Sequence, residues 1–195
     1  MYTNYYGYND IPFQLTPDHR FFFHSATHDK ALAHLTFGIS QGEGFIVITG
    51  EVGAGKTTLL GHLLATLDQN QYVTSAIVTS RLQGDDVLRL AAMNFGLNCE
   101  GQDKARIIRD LEAFLTARRQ EGRRCLLMVD EAQNLSVEAL EELRMLSNLQ
   151  ADQKPLLQSF LLAQPQFKAI LARADLEQLR QRVIAAYHLR GLDTG

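Results

Sequence analysis

The sequence predicts a doubly wound α/β sandwich, a mostly parallel sheet of five strands between two layers of helix. Three observations predict it. Short β-branched apolar runs alternate with helical periodicities along the chain. The first strand run, 45–49, is short, β-branched and apolar throughout, the pattern of a strand covered on both faces in a parallel sheet. No internal repeat and no long linker divides the chain, and 195 residues with 46% apolar content suit one core of ordinary domain size.

Each element follows from its own residues. The opening stretch, with Pro12, Pro17, Asp18, Phe13, Phe21, Phe22 and Phe23, reads as an ordered coil wrapped on a core. It marks an N-terminal wrapping segment over 1–28, ahead of a core domain over 29–195. From Asp29, the apolar residues Leu32, Leu35 and Ile39 keep helical spacing until Gly42 and Gly44 stop the helix. Residues 45–49 (Phe-Ile-Val-Ile-Thr) form the first strand, and after a Gly-rich turn Leu60, Leu63, Leu64 and Leu67 mark one face of a helix. A second strand is expected over 72–79, a helix over 85–95 stopped by Gly96, and a longer helix over 104–120 with Ile107, Ile108, Leu111, Phe114 and Leu115 inward. The third strand takes 125–129. Ser136 caps the next helix, on which Leu140, Leu143, Leu146 and Leu149 share a face, and the fourth strand takes 156–163. Short helices around 167–172 and 176–182 precede a last strand over 185–189.

Composition excludes several classes. No apolar run nears the ~20 residues that a membrane-spanning helix needs. The N-terminus, Met1-Tyr-Thr-Asn-Tyr-Tyr-Gly7, lacks the basic-then-apolar order of a signal peptide. Cys99 and Cys125 cannot build a disulfide framework and lack the paired spacing of a zinc site, so they read as reduced thiols of a cytoplasmic protein. The histidines are scattered without ligand spacing. A net charge of −3 lacks the basic balance of a duplex binder.

The strongest motif is Gly50-Glu51-Val52-Gly53-Ala54-Gly55-Lys56-Thr57, which fits G-x-x-x-x-G-K-[ST] between a strand and a helix. Polyphosphate needs many donors at close range, and a Gly-rich loop lets successive backbone N–H groups converge without Cβ obstruction. The following helix adds its positive end. Lys56 supplies an ammonium for the β- and γ-phosphates, and the Thr57 hydroxyl is placed for Mg²⁺. Thr58 closes the candidate nucleotide-binding set and is suited to capping or packing. The competing reading, a tight turn before a solvated lysine, does not account for motif, strand and helix together.

A second constellation ends the third strand. Leu126-Leu127-Met128-Val129 leads into Asp130 and Glu131, carrying two acids to the carboxyl edge of the sheet, where open α/β folds bind ligands. Asp130 would hold Mg²⁺ and Glu131 would polarise an attacking water as general base. The fourth strand should lie between the first and the third, which brings Gln164 to the γ-phosphate or the lytic water. Farther on, Arg180 and Arg182 precede the last strand. There an arginine can enter a neighbouring subunit's site as a finger, with Arg182 ahead of Arg180, or both can be solvated or pair with Asp175 and Glu177 on the same short helix.

These motifs, with Ala132-Gln133-Asn134-Leu135, Leu143-Arg144-Met145-Leu146-Ser147-Asn148, Ala163-Gln164-Pro165 and the opening Tyr5-Tyr6-Gly7-Tyr8, resemble AAA+ ATPases of the ExeA/GspA (general secretion pathway protein A) family. The likeness runs from about Tyr5 to Leu192 and is nearest the branch found with exopolysaccharide and exosortase loci. It implies a P-loop NTPase sandwich of strand order 5-1-4-3-2 and Mg²⁺-dependent ATP hydrolysis between subunits of an oligomer. It also implies partners in the envelope export machinery at the inner face of the inner membrane. Gln164 takes the sensor 1 position, Arg182 that of the finger, and Pro12-Phe13 would lie over the adenine or in the core. Such proteins continue into a helical lid with a second sensor arginine, and on this reading the chain stops at Gly195 where the lid would begin.

Two other functions compete. Related AAA+ proteins of transposition and target selection bind DNA, and Arg118, Arg119, Arg123 and Arg124 form a dense basic cluster; cations at a helix C-terminus are also ordinary. A small-molecule kinase would deprotonate its own acceptor and has less need of Glu131.

Overall fold

The computed structural model describes residues 25–190 apart from 79–81 and 83. The expectations for Pro12-Phe13 and the rest of residues 1–24 therefore lie outside the described residues. Helix α1 (Ala26–Gln41) begins three residues ahead of the expected start, because Ser25 caps it: the Ser25 side chain accepts from His28 N. Gly42 ends it as expected, in the left-handed region at φ 79°, with its N–H on Ile39 O.

From there the alternation runs as the sequence predicts, through β1 (Phe45–Gly50), α2 (Lys56–Thr66), β2 (Tyr72–Val78), α3 (Asp85–Asn94), α4 (Lys104–Gln120) and β3 (Arg124–Asp130). A 3₁₀ turn (Ala132–Asn134) and α5 (Val137–Leu146) follow. Leu149 lies beyond that helix, contrary to the shared face expected for it. The chain leaves α5 at Ser147, and Leu149 instead opens a two-stranded hairpin, β4 (Gln150–Ala151) and β5 (Lys154–Pro155), where its carbonyl accepts from Leu156 N at 2.9 Å. The hairpin carries no Asn-Gly signal. Its tip places Asp152 and Gln153 at φ 50° and 61°, a backbone that glycine usually supplies. The chain closes with β6 (Leu157–Ala163), α6 (Phe167–Leu171), α7 (Glu177–Gln181) and β7 (Val183–Leu189).

The main sheet has the order β2-β3-β6-β1-β7, and its registered pairs are all parallel. Counted by its five long strands, this is the expected 5-1-4-3-2. Alternate residues face opposite layers, as the period of a strand requires. Phe45, Val47, Leu127, Val129 and Leu161 join a core with α3, α4, α5 and α6, while Ile46, Ile48, Leu126, Met128, Phe160 and Leu162 join another with α1 and α2. The inner strands β1, β3 and β6 are buried on both faces almost throughout, whereas the edge strand β2 alternates exposed Thr74, Ala76 and Val78 with buried Ser75 and Ile77. Helix α1 lies close on the sheet at Gly38, where an added Cβ would come within 2.2 Å of the Ile46 side chain.

Candidate functional site

The carboxyl ends of β1, β3 and β6 meet at one edge of the sheet, since β6 pairs with β1 on one side and with β3 on the other. Gly50 ends β1, and the chain turns through residues 51–55 into α2. Gly53 and Gly55 take φ values of 78° and 85°, so a side chain at either would strain the turn. Gly55 is the N-cap of α2 without a side-chain cap bond. Thr58 therefore does not cap the helix; it sits half-buried one turn in.

Within the loop, Ala54 N donates to Glu51 O at 3.1 Å. Lys56 is buried, and its Nζ donates to Gly50 O at 2.8 Å and to Glu51 O at 3.0 Å. The ammonium thus lies across the turn that precedes it, with its charge met by carbonyl dipoles. The next residue reaches the neighbouring strand, as the Thr57 hydroxyl donates to Asp130 Oδ2 at 2.6 Å across 73 residues of sequence. Glu51, Val52 and Gly53 form the exposed rim of the loop.

At the end of β3 the backbone turns sharply. Glu131 adopts φ 53°, the left-handed region that a non-glycine residue enters at a cost on the order of 1–3 kcal/mol. Asp130 Oδ1 accepts from Glu131 N at 2.8 Å and so braces the turn. Glu131 Oε2 accepts from Gln164 Nε2 at 3.1 Å and also from Gln133 Nε2. Gln133 Oε1 in turn accepts from Gln164 N at 2.9 Å. One glutamine therefore ties the acidic turn to the end of β6, and its sequence signal was weak: a polar residue two positions past the paired acids.

The structure brings Lys56 and Thr57 of the loop, Asp130 and Glu131 at the end of β3, and Gln164 just past β6 to one edge of the sheet, β6 lying between β1 and β3 as expected. His28 joins them without such a signal. It is 6% exposed on the first turn of α1, and its Nε2 lies 3.2 Å from Ala54 O across 26 residues of sequence.

Arg180 and Arg182 lie elsewhere. Arg182 O accepts from Phe45 N at 2.9 Å, which places Arg182 at the start of β1, the sheet edge opposite the loop. With six residues in β1, that is about 16 Å from Gly50 at ~3.3 Å per residue. The Arg182 guanidinium donates to Ser147 O at 3.2 Å and Ser147 Oγ at 3.0 Å, and that of Arg180 to Leu171 O at 3.2 Å. The alternative pairing with Asp175 and Glu177 does not occur: Asp175 is held by Arg173 and Glu177 accepts from Gln181.

The basic cluster is used locally. Arg118 pairs with Glu121 at 2.9 Å and lies over Phe114. Arg119 donates to Pro155 O, Arg123 to Gln69 O, and Arg124 to Ile39 O and Gln158 Oε1. These guanidiniums stitch the loops at the far edge of the sheet. Cys99 and Cys125 are free and buried. Among the described residues no helix is long and apolar enough to cross a membrane.

The family model described as AAA domain matches residues 39–171. General secretion pathway protein A of Aeromonas hydrophila is 38% identical over 190 residues, covering 97% of this chain and 35% of that protein. The chain therefore spans about a third of the length of the curated relative it matches. Among solved structures, Cdc6p of Pyrobaculum aerophilum aligns with a TM-score of 0.65 at 16% identity, over 92% of this chain and 48% of that one. The ADP form of the Aeropyrum pernix ORC2 protein aligns with a TM-score of 0.64 at 19% identity, over 96% of this chain and 52% of that one. At such identities these two likenesses concern the fold.

Proposed function

Because the chain belongs to the AAA domain family, we propose that it binds ATP with Mg²⁺ at the loop over residues 50–57 and hydrolyses it to power or switch a bacterial envelope export system. The observation that carries the nucleotide reading is the Thr57–Asp130 pair: a loop hydroxyl and a strand-end carboxylate, distant in sequence, meet at 2.6 Å beside the buried Lys56. Both are hard oxygen donors, the set that suits Mg²⁺. When bound, the ion would neutralise phosphate charge. The loop amides and the start of α2 would bind the phosphates, and the Lys56 ammonium would turn from the carbonyls of Gly50 and Glu51 to their oxygens. The Aeropyrum pernix ORC2 protein, solved in an ADP form, shares this fold, which is in keeping with a nucleotide here.

Glu131 is the general base in this reading. Its carboxylate is aimed by two amide donors, Gln133 and Gln164, and it takes a proton from the attacking water. Gln164 doubles as the group that senses the γ-phosphate. Arg182 cannot reach its own chain's loop from the opposite sheet edge, so a finger role places it in a neighbour's site and requires an oligomer. The name of the Aeromonas relative supports a secretion role, and export of polysaccharide or protein from the cytoplasmic face of the inner membrane is the finer form of the proposal.

Equilibrium binding of fluorescent ATP and a phosphate-release assay on the purified chain test it. Lys56→Ala is expected to lose nucleotide binding, whereas Glu131→Gln should keep it and turn over orders of magnitude more slowly. Full turnover by Glu131→Gln would remove the assigned base, and a wild-type chain without nucleotide affinity would remove the whole reading. For the export role, a Lys56→Ala allele should fail to restore secretion in a strain lacking the gene.

A further inference from the structure

We infer that His28 is a positioning residue for the phosphate loop, one that couples nucleotide occupancy to the N-terminus of α1. The inference rests on the nucleotide reading of residues 50–57 and adds a residue to that site.

Ala54 O can only accept, so His28 Nε2 carries a proton and donates to it at 3.2 Å. On the other side of the ring Nδ1 is hydrogen-bonded to the Ser25 hydroxyl, 2.7 Å away. The same Ser25 oxygen accepts from His28 N at 3.3 Å as the N-cap of α1. A continuous chain of donors and acceptors thus leads from the helix cap, through the imidazole, to the loop.

The loop end of that chain has a mechanical consequence. A trans peptide is planar, so fixing the Ala54 carbonyl also fixes the Gly55 N–H on the other side of the same peptide unit. That amide belongs to the Gly-rich turn, whose function depends on N–H groups aimed before the anion arrives. The ring also lies directly on Gly55, where an added Cβ would fall 2.8 Å from His28 Nε2. Gly55 is therefore held to glycine by its φ of 85° and by the imidazole packed against it.

The other end is anchored in the fold. Thr27 O accepts from the Tyr187 hydroxyl at 3.1 Å, and the His34 and Tyr187 rings lie 4.9 Å apart, so the start of α1 is bound to β7. An anion that orders the loop must therefore also stabilise the first turns of α1, and loosening α1 must weaken the anion, because linkage is reciprocal.

A buried histidine that merely fills space would show none of this, and the variants separate the two roles. His28→Leu fills the volume of the ring without a donor, whereas His28→Gln restores an N–H within reach of Ala54 O. The full chain is titrated with ADP and with ATP in Mg²⁺. His28→Leu should weaken binding roughly tenfold, the scale of one hydrogen bond lost at a preorganised site, and His28→Gln should recover most of it. Amide exchange over residues 26–33 should slow when wild type binds ADP, and slow much less at saturating ADP in His28→Leu. Nucleotide affinity and exchange protection in His28→Leu equal to wild type would overturn the inference. If His28→Leu fails to fold, Ser25→Ala keeps the ring and removes its anchor: a threefold or greater loss of affinity supports the coupling, and unchanged affinity overturns it. Affinity lost in Lys56→Ala but kept in His28→Leu would sink His28 alone, while a wild-type chain that binds neither nucleotide would sink the reading beneath it.

Discussion

The Thr57 hydroxyl donates to Asp130 Oδ2 at 2.6 Å and so joins the first turn of α2 to the last residue of β3. Asp130 is 5% exposed, and a buried carboxylate deprived of such a donor loses about 1–3 kcal/mol. Thr57→Val should therefore destabilise the protein by that order in urea melts and raise the Mg²⁺ concentration needed for half-maximal ATPase activity. Thr57→Ser, which keeps the hydroxyl, should restore both. An unchanged Mg²⁺ titration in Thr57→Val would count against Thr57 as an ion ligand.

Gln133 makes the second test. It donates to Glu131 Oε2 and accepts from Gln164 N at 2.9 Å, so it holds the proposed base and the proposed sensor in one network. Gln133→Ala and Gln164→Ala should each lower kcat by roughly 10- to 100-fold with little change in KM. Because the two act through one carboxylate, the double variant should be barely worse than either single one. Multiplicative losses in kcat would mean that the glutamines work separately.

The parts of this molecule that were legible in the sequence are those governed by local rules. The apolar runs at 45–49 and 125–129 marked inner strands covered on both faces, and Gly42, Ser136 and the loop glycines marked element ends. The candidate site residues were legible from two local patterns, the Gly-rich loop that ends in Lys56 and Thr57 and the apolar run that ends in Asp130 and Glu131. What stayed hidden either lacks a distinctive local signal or depends on tertiary contact. Ser25 caps α1 through a short-range bond that competes with many polar candidates in a coil. The hairpin tip at Asp152-Gln153 lacks glycine, and Leu149 keeps helical phase with α5 although Ser147 has already ended that helix. His28 meets Ala54 where the start of α1 is tied to β7 through Thr27 O and the Tyr187 hydroxyl, a contact that no spacing rule encodes.

Arg182 gives a prediction about association. Its guanidinium lies at the amino-terminal edge of the sheet, on Ser147, while its own phosphate loop follows the carboxyl end of β1. ATPase activity per chain should therefore rise with protein concentration, and Arg182→Ala should abolish that rise. Mixing is the sharper measurement. Lys56→Ala chains keep the arginine and lose the site, Arg182→Ala chains keep the site and lose the arginine, and each should be inactive alone. Together they should regain a measurable fraction of wild-type activity. A mixture as inactive as its components would refute a finger acting between chains.

Cys125 yields a test of burial that is independent of nucleotide. The residue is 3% exposed, and burial pushes its thiol from the ordinary 9.0 up to about 12, with Arg118 and Arg123 pulling weakly the other way. In the unfolded chain the thiol ionises near 9.0, whereas the folded chain keeps its proton. Between those values the unfolded state binds fewer protons than the native state, so stability falls as pH rises. The contribution is fully present below pH 9 and is lost progressively toward 12. Cys125→Ala removes the titration, so the stability advantage of wild type over the variant should hold constant from about pH 7 to 8.5 and shrink by about 1–2 kcal/mol near pH 10.5. Urea midpoints of both proteins across that range measure it. Other lysine and tyrosine titrations cancel in the difference, and an advantage that stays flat above pH 9 would show that the native thiol ionises as readily as the unfolded one.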